Sequence, residues 1–382
     1  MVYFDNAATT YPKPEVVYTF MDKFYRECGV NVGRGQHDMA NKASKLYSET
    51  KQLIKELLNC PDKEVVFTSS ATESLNIVLQ GIRWDDNYTV YVSPFEHNSV
   101  MRVLYHLQNI YKIHIKELTV NKDTLKYDVE KIKYDFQEAN PNVLVMSHAS
   151  NVCGLIAPIK EVCDIAKEHD AVTVVDMAQT AGLIPTDLSQ IKVDYVVFAG
   201  HKTLYGSFGV GGLILDSKSK LKPLMYGGSG IDSLSHTMPE TVPERYESGS
   251  HNIQAVAGLN AALKWILEQG VESIYQKEKE YTVRLVDIIK DYSNIKLVGY
   301  RDSESNIGVV SCLFDGYSSD NIGQVLNEKE IAVRTGLHCS PIAHSFFGTS
   351  PEGTVRFSIS YFNTDDDLEK LKAALDYIEL NG

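Results

Sequence analysis

Short apolar runs alternate with amphipathic stretches over the first two-thirds of the chain, which predicts strands and helices in turn. Runs at 64–68, 89–93, 113–119, 142–147, 171–176, 194–199 and 209–215 read as strands. The spacing between them predicts helices, among them 72–81 and 159–169. Such alternation builds a mainly parallel sheet covered by helices, an α/β architecture whose ligands sit beyond the carboxyl ends of the strands. Around 221–250 the pattern breaks into a loop rich in turn residues, including Gly227-Gly228-Ser229-Gly230. A loop of that length points to a functional or interfacial role. Helical periodicity resumes at 253–269 and again at 275–291, and about 296–380 reads as a smaller α+β domain. The first forty residues lack strong periodicity and are expected to wrap between the two domains.

A length of 382 residues favours two domains over one core. The net charge of −13, with no Lys/Arg cluster, argues against nucleic acid and against an anionic membrane surface as partners. No basic leader precedes Met1-Val2-Tyr3-Phe4-Asp5, and no apolar run approaches the ~20 residues of a membrane span. The six cysteines are scattered, without a CxxC pair or zinc-type spacing, so no metal is expected. A cytoplasmic protein with reduced thiols is the expectation.

Candidate chemistry gathers at the predicted strand ends. Val196-Val197-Phe198-Ala199-Gly200-His201-Lys202 places a lysine after an apolar strand, where desolvation would lower its pKa and suit a Schiff-base nucleophile. The plain alternative is a lysine that snorkels to water. Ala171-Val172-Thr173-Val174-Val175-Asp176 ends another strand in a carboxylate, with Gln179 three residues on. Asp176 could merely cap a helix. Together, a lysine for an aldehyde and an aspartate for a pyridinium nitrogen are the pair that pyridoxal phosphate requires. Ser69-Ser70-Ala71-Thr72-Glu73 opens a helix whose free N–H groups and Thr72 hydroxyl could seat an anion, or could be a simple N-cap. His97 follows a strand and could cap the next helix. In Arg334-Thr335-Gly336-Leu337-His338-Cys339, Arg334 and His338 could lower the thiol pKa, although inert burial is a common fate of cysteine. Arg356 lies in an apolar strand and needs an anionic partner, either a substrate carboxylate or an internal acid.

These motifs resemble the class V aminotransferase-like pyridoxal phosphate enzymes, and within them the cysteine desulfurases of the SufS/selenocysteine lyase branch. The likeness runs from Phe4-Asp5-Asn6-Ala7-Ala8-Thr9-Thr10 to Phe362-Asn363-Thr364. It implies a PLP-dependent transferase fold of type I, with a mainly parallel seven-stranded sheet between helices and a smaller α+β domain. The implied division is an N-terminal segment at 1–20 packing with the small domain, a large cofactor-binding domain at 21–255, and interdomain helices with the small domain at 256–382. The implied activity converts L-cysteine to L-alanine through a persulfide on Cys339. Related alternatives are a selenocysteine lyase acting on L-selenocysteine and another lyase or aminotransferase of the same fold. A non-catalytic interaction protein is the alternative from a different class.

By the same resemblance, Ala71, Thr72 and His201 hold the cofactor phosphate, His97 stacks on the ring and Gln179 meets its hydroxylate oxygen. Asn151 bonds near the substrate carboxylate or a cofactor oxygen, Arg356 clamps that carboxylate with Arg334 beside it, and His37 lines the entrance. Ser250 reaches the phosphate of a neighbouring subunit, which implies a homodimer, and a sulfur-acceptor protein is an expected further partner. Two positions depart from the pattern. Ala199 replaces a serine two residues before the histidine, thinning the phosphate contacts, and Leu337 stands where the branch often has histidine.

Overall fold

The computed structural model describes residues 1–33, 35–231 and 234–381. Strand β1 (Val2–Tyr3) precedes helices α1 (Glu15–Cys28) and α2 (Asp38–Leu57). Four strand–helix units follow: β2 (Lys63–Thr68) with α3 (Ala71–Gly81), β3 (Thr89–Val92) with α4 (Asn98–Tyr111), β4 (His114–Glu117) with α5 (Val129–Glu138), and β5 (Val143–Ser147) with α6 (Ile159–Glu168). Strands β6 (Val172–Asp176), β7 (Tyr195–Ala199) and β8 (Gly211–Asp216) complete a seven-stranded sheet of order β2-β8-β7-β6-β5-β3-β4. It is parallel except at β8, which runs antiparallel to both β2 and β7.

The central strands are apolar throughout because both faces are covered. Leu144 and Met146 enter one core, while Val143 and Val145 enter the core on the opposite face. Each such side chain, fully buried, contributes about 1.5–3 kcal/mol. Strand β4 is shorter than the 113–119 run because it is the sheet edge, where His114, Lys116 and Glu117 face water.

Helix α7 (Ile253–Gln269), whose Leu259 and Ile266 join the core with Leu144 and Met146, leads to a second group of elements: α8 (Val271–Lys290), β9 (Ile295–Val298), β10 (Val309–Phe314), α9 (Ser319–Glu328), β11 (Ile331–Ala332), β12 (Arg334–Gly336), α10 (Pro341–Phe347), β13 (Thr354–Ser358) and α11 (Asp365–Asn381). Its antiparallel sheet has the order β12-β13-β10-β9. At the junction, α7 packs on α1 and α2, whereas α8 packs on β9 and β10.

The N-terminal region differs from its sequence reading, because α1 and the start of α2 occupy much of the first forty residues. Helix α1 lays Val17, Phe20, Phe24 and Cys28 on one face against the core and leaves Val16, Tyr18 and Tyr25 exposed. The first ten residues tie distant parts together. Strand β1 pairs in parallel with β11, and the Asn6 side chain donates to Ser358 O at 2.8 Å. Thr9 Oγ1 donates to His201 O at 2.9 Å and Thr10 Oγ1 to Lys202 O at 3.0 Å.

Candidate active site

The sheet register brings Ser147 opposite Asp176, and Asp176 opposite Val197, so β5, β6 and β7 end side by side. Beyond those ends lies a cleft of about 220 Å³. Asp176, His97, Gln179, Thr72, Ala71, Ala199, His201, Lys202, Asn151, Arg334 and Arg356 all line it. Strand β7 leaves the sheet at Gly200, whose N–H donates to Val210 O at 3.0 Å. A Cβ at Gly200 would lie 2.6 Å from that oxygen, so glycine is required for the turn that delivers His201 and Lys202.

The Lys202 residue keeps some exposure, but protein surrounds its amine. That desolvation pulls its pKa down to about 8, opposed by the charge of Asp176. The amine therefore does not reach open water. Asp176 Oδ1 accepts the Ala178 N–H at 2.8 Å, which realises part of the capping alternative, and burial raises the carboxyl pKa. Gln179 Nε2 donates to Ala7 O at 2.9 Å.

At the start of α3, Ser70 Oγ accepts the Glu73 N–H at 3.2 Å, and Glu73 Oε2 accepts from Ser69 N at 2.7 Å. The N-cap reading is thus realised. The first-turn N–H groups at Ala71 and Thr72 still border the cleft, so the anion seat survives beside the cap. Strand β8 passes directly beneath: a Cβ on Gly211 would stand 2.9 Å from Ala71 N. His201 stacks on Phe208 with 4.5 Å between ring centroids, and its Nδ1 is buried without a partner. Burial holds this imidazole neutral, with a pKa near 3.

His97 serves in two ways. Its Nδ1 accepts the Ser99 N–H at 3.0 Å and caps α4, while its ring walls the cleft. Burial, then the Lys202 charge, pulls its pKa to about 4, leaving it neutral at physiological pH.

Behind His97 sits Glu96, which the sequence reading passed over. It is fully buried and accepts from Ser147 N at 2.6 Å, Ser147 Oγ at 3.0 Å and Ser93 Oγ. Burial pushes its pKa from 4.5 up to about 7, so the folded chain keeps a proton that the unfolded chain has lost over that interval. Stability therefore falls as pH rises from about 4.5 through about 7, by up to about 3 kcal/mol for this group. Glu278, also buried and raised to about 7, contributes with the same sign. Urea melts of Glu96→Gln at pH 5 and pH 7.5 are expected to show a smaller stability difference than wild type. An unchanged difference would mean that Glu96 does not carry the proton.

Arg356 is 1% exposed and donates from one terminal nitrogen to Asn151 O at 2.9 Å and from the other to Asp5 Oδ1 at 2.8 Å. Its Nε is buried without a partner, which leaves a donor for an incoming anion. The internal-acid alternative is thus half realised, by a residue of the N-terminal segment rather than of the sheet domain.

Cys339 hangs in a loop held from several sides. Asn98 N donates to Cys339 O at 2.7 Å, Asn151 Nδ2 to His338 O at 2.7 Å, and Ser340 Oγ to Asn151 Oδ1 at 2.7 Å. These bonds keep His338 and Cys339 at φ of 47° and 60°, left-handed values that cost non-glycine residues energy. Arg334 donates to the Cys339 sulfur at 3.3 Å.

Asn151 lines the cleft while one amide hydrogen and one lone pair hold the Cys339 loop, leaving a second N–H and lone pair. Two expectations need correction. His338 cannot assist the thiol as a cation: burial pushes its pKa down to about 2, and its Nε2 pairs with Thr354 Oγ1 at 2.9 Å. His37 is exposed, caps α2 through Ala40 N and lies outside the cleft; its neighbour Arg34 is outside the described residues. Ser250 is also exposed, in a separate pocket with Glu73 and His251, away from the cleft of its own protomer.

The donor set fits a flat aromatic aldehyde phosphate. It offers a neutral-prone amine, a carboxylate facing it, an imidazole wall, an unpaired buried His201 nitrogen and a helix start. Among the described residues no cluster of His, Cys, Asp and Glu could hold a metal, and no helix is long and apolar enough to cross a membrane.

A family model for aminotransferase class-V matches residues 2–371. The chain belongs to the class-V aminotransferase family. This family member is 30% identical over 386 residues to a probable cysteine desulfurase of Xylella fastidiosa (strain 9a5c), covering 98% of this chain and 90% of that one. It is 29% identical over 385 residues to a probable cysteine desulfurase of Pyrococcus abyssi, covering 98% and 94%. Among solved structures, the apo cysteine desulfurase of Thermococcus onnurineus NA1 superposes with a TM-score of 0.92 at 27% identity, covering 99% of this chain and 94% of that one. The cysteine desulfurase CsdA (S-sulfonic acid) of Escherichia coli gives 0.86 at 27%, again covering 99% and 94%. The class-V fold expected from the sequence is therefore present, with its mostly parallel seven-stranded sheet.

Proposed function

We propose that the protein is a pyridoxal-phosphate-dependent cysteine desulfurase that converts L-cysteine to L-alanine and stores the sulfur as a persulfide on Cys339. The observation that carries the reading is the Cys339 loop, fixed near the cleft with Arg334 at 3.3 Å from its sulfur. Lysine, aspartate and arginine alone would suit a lyase or aminotransferase equally well.

Lys202 would hold the cofactor covalently, Asp176 its ring nitrogen, Gln179 its ring oxygen, His97 its face, and Ala71, Thr72 and His201 its phosphate. When bound, the cofactor supplies an electron sink that labilises the substrate Cα proton and weakens the bond to sulfur. Lys202, with a pKa near 8, can carry the proton from Cα. Arg356 would fix the substrate carboxylate through its free Nε. Cys339, whose sulfur Arg334 contacts, takes the substrate sulfur. The Cβ–S bond of L-cysteine breaks, an S–S bond to Cys339 forms, and a proton takes the place of sulfur on Cβ.

A homodimer in which Ser250 serves the neighbouring site accounts for its exposure and its distance from its own cleft. Cytoplasmic residence accords with six free cysteines, and a sulfur acceptor completes the cycle. The test incubates wild type and Cys339→Ala with L-cysteine, without and with a reductant. Wild type is expected to release alanine and, once reductant is added, equal sulfide, while Cys339→Ala loses at least ~10²-fold in alanine formation. Undiminished alanine from Cys339→Ala would eliminate the persulfide step and favour a lyase.

A further inference from the structure

Cys339 lines a cavity other than the cofactor cleft. On the far side of His97, the exposed faces of α3 and α4 form a second, more open cavity of about 470 Å³, and Cys339 lines it. Thr72, Asn76 and Gln80 of α3 recur at every fourth residue along one wall, and Ser99, Arg102 and His106 of α4 form the other. Thr72, His97 and Ser99 are common to both cavities, so the groove that Cys339 lines adjoins the cofactor cleft.

The chemistry of this groove is unlike that of the surface around it. The chain carries a net charge of −13, yet no carboxylate lines the groove. Arg102 is exposed and has no acidic partner among the described residues. Asn76 and Gln80 are joined by a side-chain bond of 2.7 Å, which leaves the Asn76 and Gln80 amides on one face as a polar ladder. Arg334 supplies a second cation at the Cys339 end. Apart from the imidazoles the lining has no aromatic ring, and so lacks the anchors on which protein interfaces concentrate their binding energy. A volume of about 470 Å³ suits a molecule no larger than a short peptide.

We infer that the α3–α4 groove admits a small free thiol bearing carboxylates, with Arg102 as its anion contact, and that this thiol collects sulfur from Cys339 without entering the cofactor cleft. The inference rests on the persulfide reading above. In the transfer, the incoming thiolate attacks the outer sulfur of the Cys339 persulfide. The S–S bond to Cys339 breaks, a new S–S bond forms on the acceptor, and Cys339 departs as a thiolate beside Arg334. One S–S bond replaces another, and no oxidant or reductant is consumed.

Two measurements on the holoenzyme test this. The first is independent of turnover. Cys339 is the one cysteine that is not buried, so it can be labelled selectively with thiosulfonates that differ only in charge and followed by intact mass. The anionic sulfonatoethyl reagent is expected to react about fivefold or more faster than the cationic trimethylammonioethyl reagent at low salt, and Arg102→Ser to cut that ratio about threefold. A ratio that Arg102→Ser leaves unchanged overturns the inference. The second loads the enzyme once with L-cysteine, desalts it, and compares persulfide clearance by mercaptosuccinate and by cysteamine at equal thiolate concentration. Faster clearance by mercaptosuccinate, lost in Arg102→Ser, supports the groove; equal clearance by both overturns it and leaves the desulfurase reading standing. If labelling is charge-selective but no persulfide ever forms, the groove's anion preference holds while the desulfurase reading and the acceptor role fall together.

Discussion

Lys202→Ala is expected to abolish alanine formation from L-cysteine, lowering kcat by at least ~10⁴-fold, because one side chain both anchors the cofactor and moves the proton. The fold should survive. Lys202 forms no ion pair among the described residues, and removing a desolvated amine relieves burial of a charge. The variant should still collect pyridoxal phosphate through the α3 start and His201, but lose it on gel filtration, where wild type retains it. A pH series sharpens the result. Only the neutral amine reacts with an aldehyde, so wild-type cofactor capture should rise with pH and level off above about 8, well below the range of an exposed lysine. A Lys202→Ala protein that keeps its visible chromophore through gel filtration would show that another group holds the cofactor.

The second large effect falls on Arg356. Arg356→Ala should raise KM for L-cysteine by ~10–10²-fold, the loss of a charge-assisted carboxylate contact. The same change strands the Asp5 carboxylate and the Asn151 carbonyl, so thermal stability should also fall, by about 3 kcal/mol. That is the low end for a broken buried pair, since the Asp5 side chain keeps 21% of its exposure. Asp5→Asn separates the two roles. It should cost stability while sparing most of the substrate affinity, and steady-state kinetics beside melting curves measure both. Equal KM values for Arg356→Ala and wild type would remove Arg356 from the substrate site.

The strands carrying Ser147, Asp176 and Ala199 were legible because sheet strands covered on both faces must be apolar at every position, leaving unbroken runs. Periodicity carries no information on strand order, so the insertion of antiparallel β8 between β2 and β7 was not legible. Helix α1 did carry a signal, a stripe of Val17, Phe20, Phe24 and Cys28 at helical spacing. In the site, Lys202, Asp176, Thr72, His97, Gln179, His201 and Arg356 could be read from residue type at strand and helix ends, and one cleft gathers them. Asp5 and Glu96 were missed for different reasons. Nothing in Phe4-Asp5-Asn6 points to a partner 351 residues away, which only the folded chain reveals. Glu96 did carry a signal, as a carboxylate between Phe95 and His97 just past a buried strand, where a charge has no solvent.

The clasp formed by the first ten residues bears on when this protein can become competent during its own synthesis. Asn6 finds Ser358 across 352 positions, and the Asp5 bond to Arg356 closes a loop of similar size. Asp5 and Asn6 are therefore made some 350 residues before these partners and must wait for them. The sheet domain can fold meanwhile, since its strands span only 63–216. Neither the Arg356 anchor nor the Cys339 loop exists until β13 is made, so a nascent chain already folded around Lys202 could take up cofactor yet remain unable to act on sulfur.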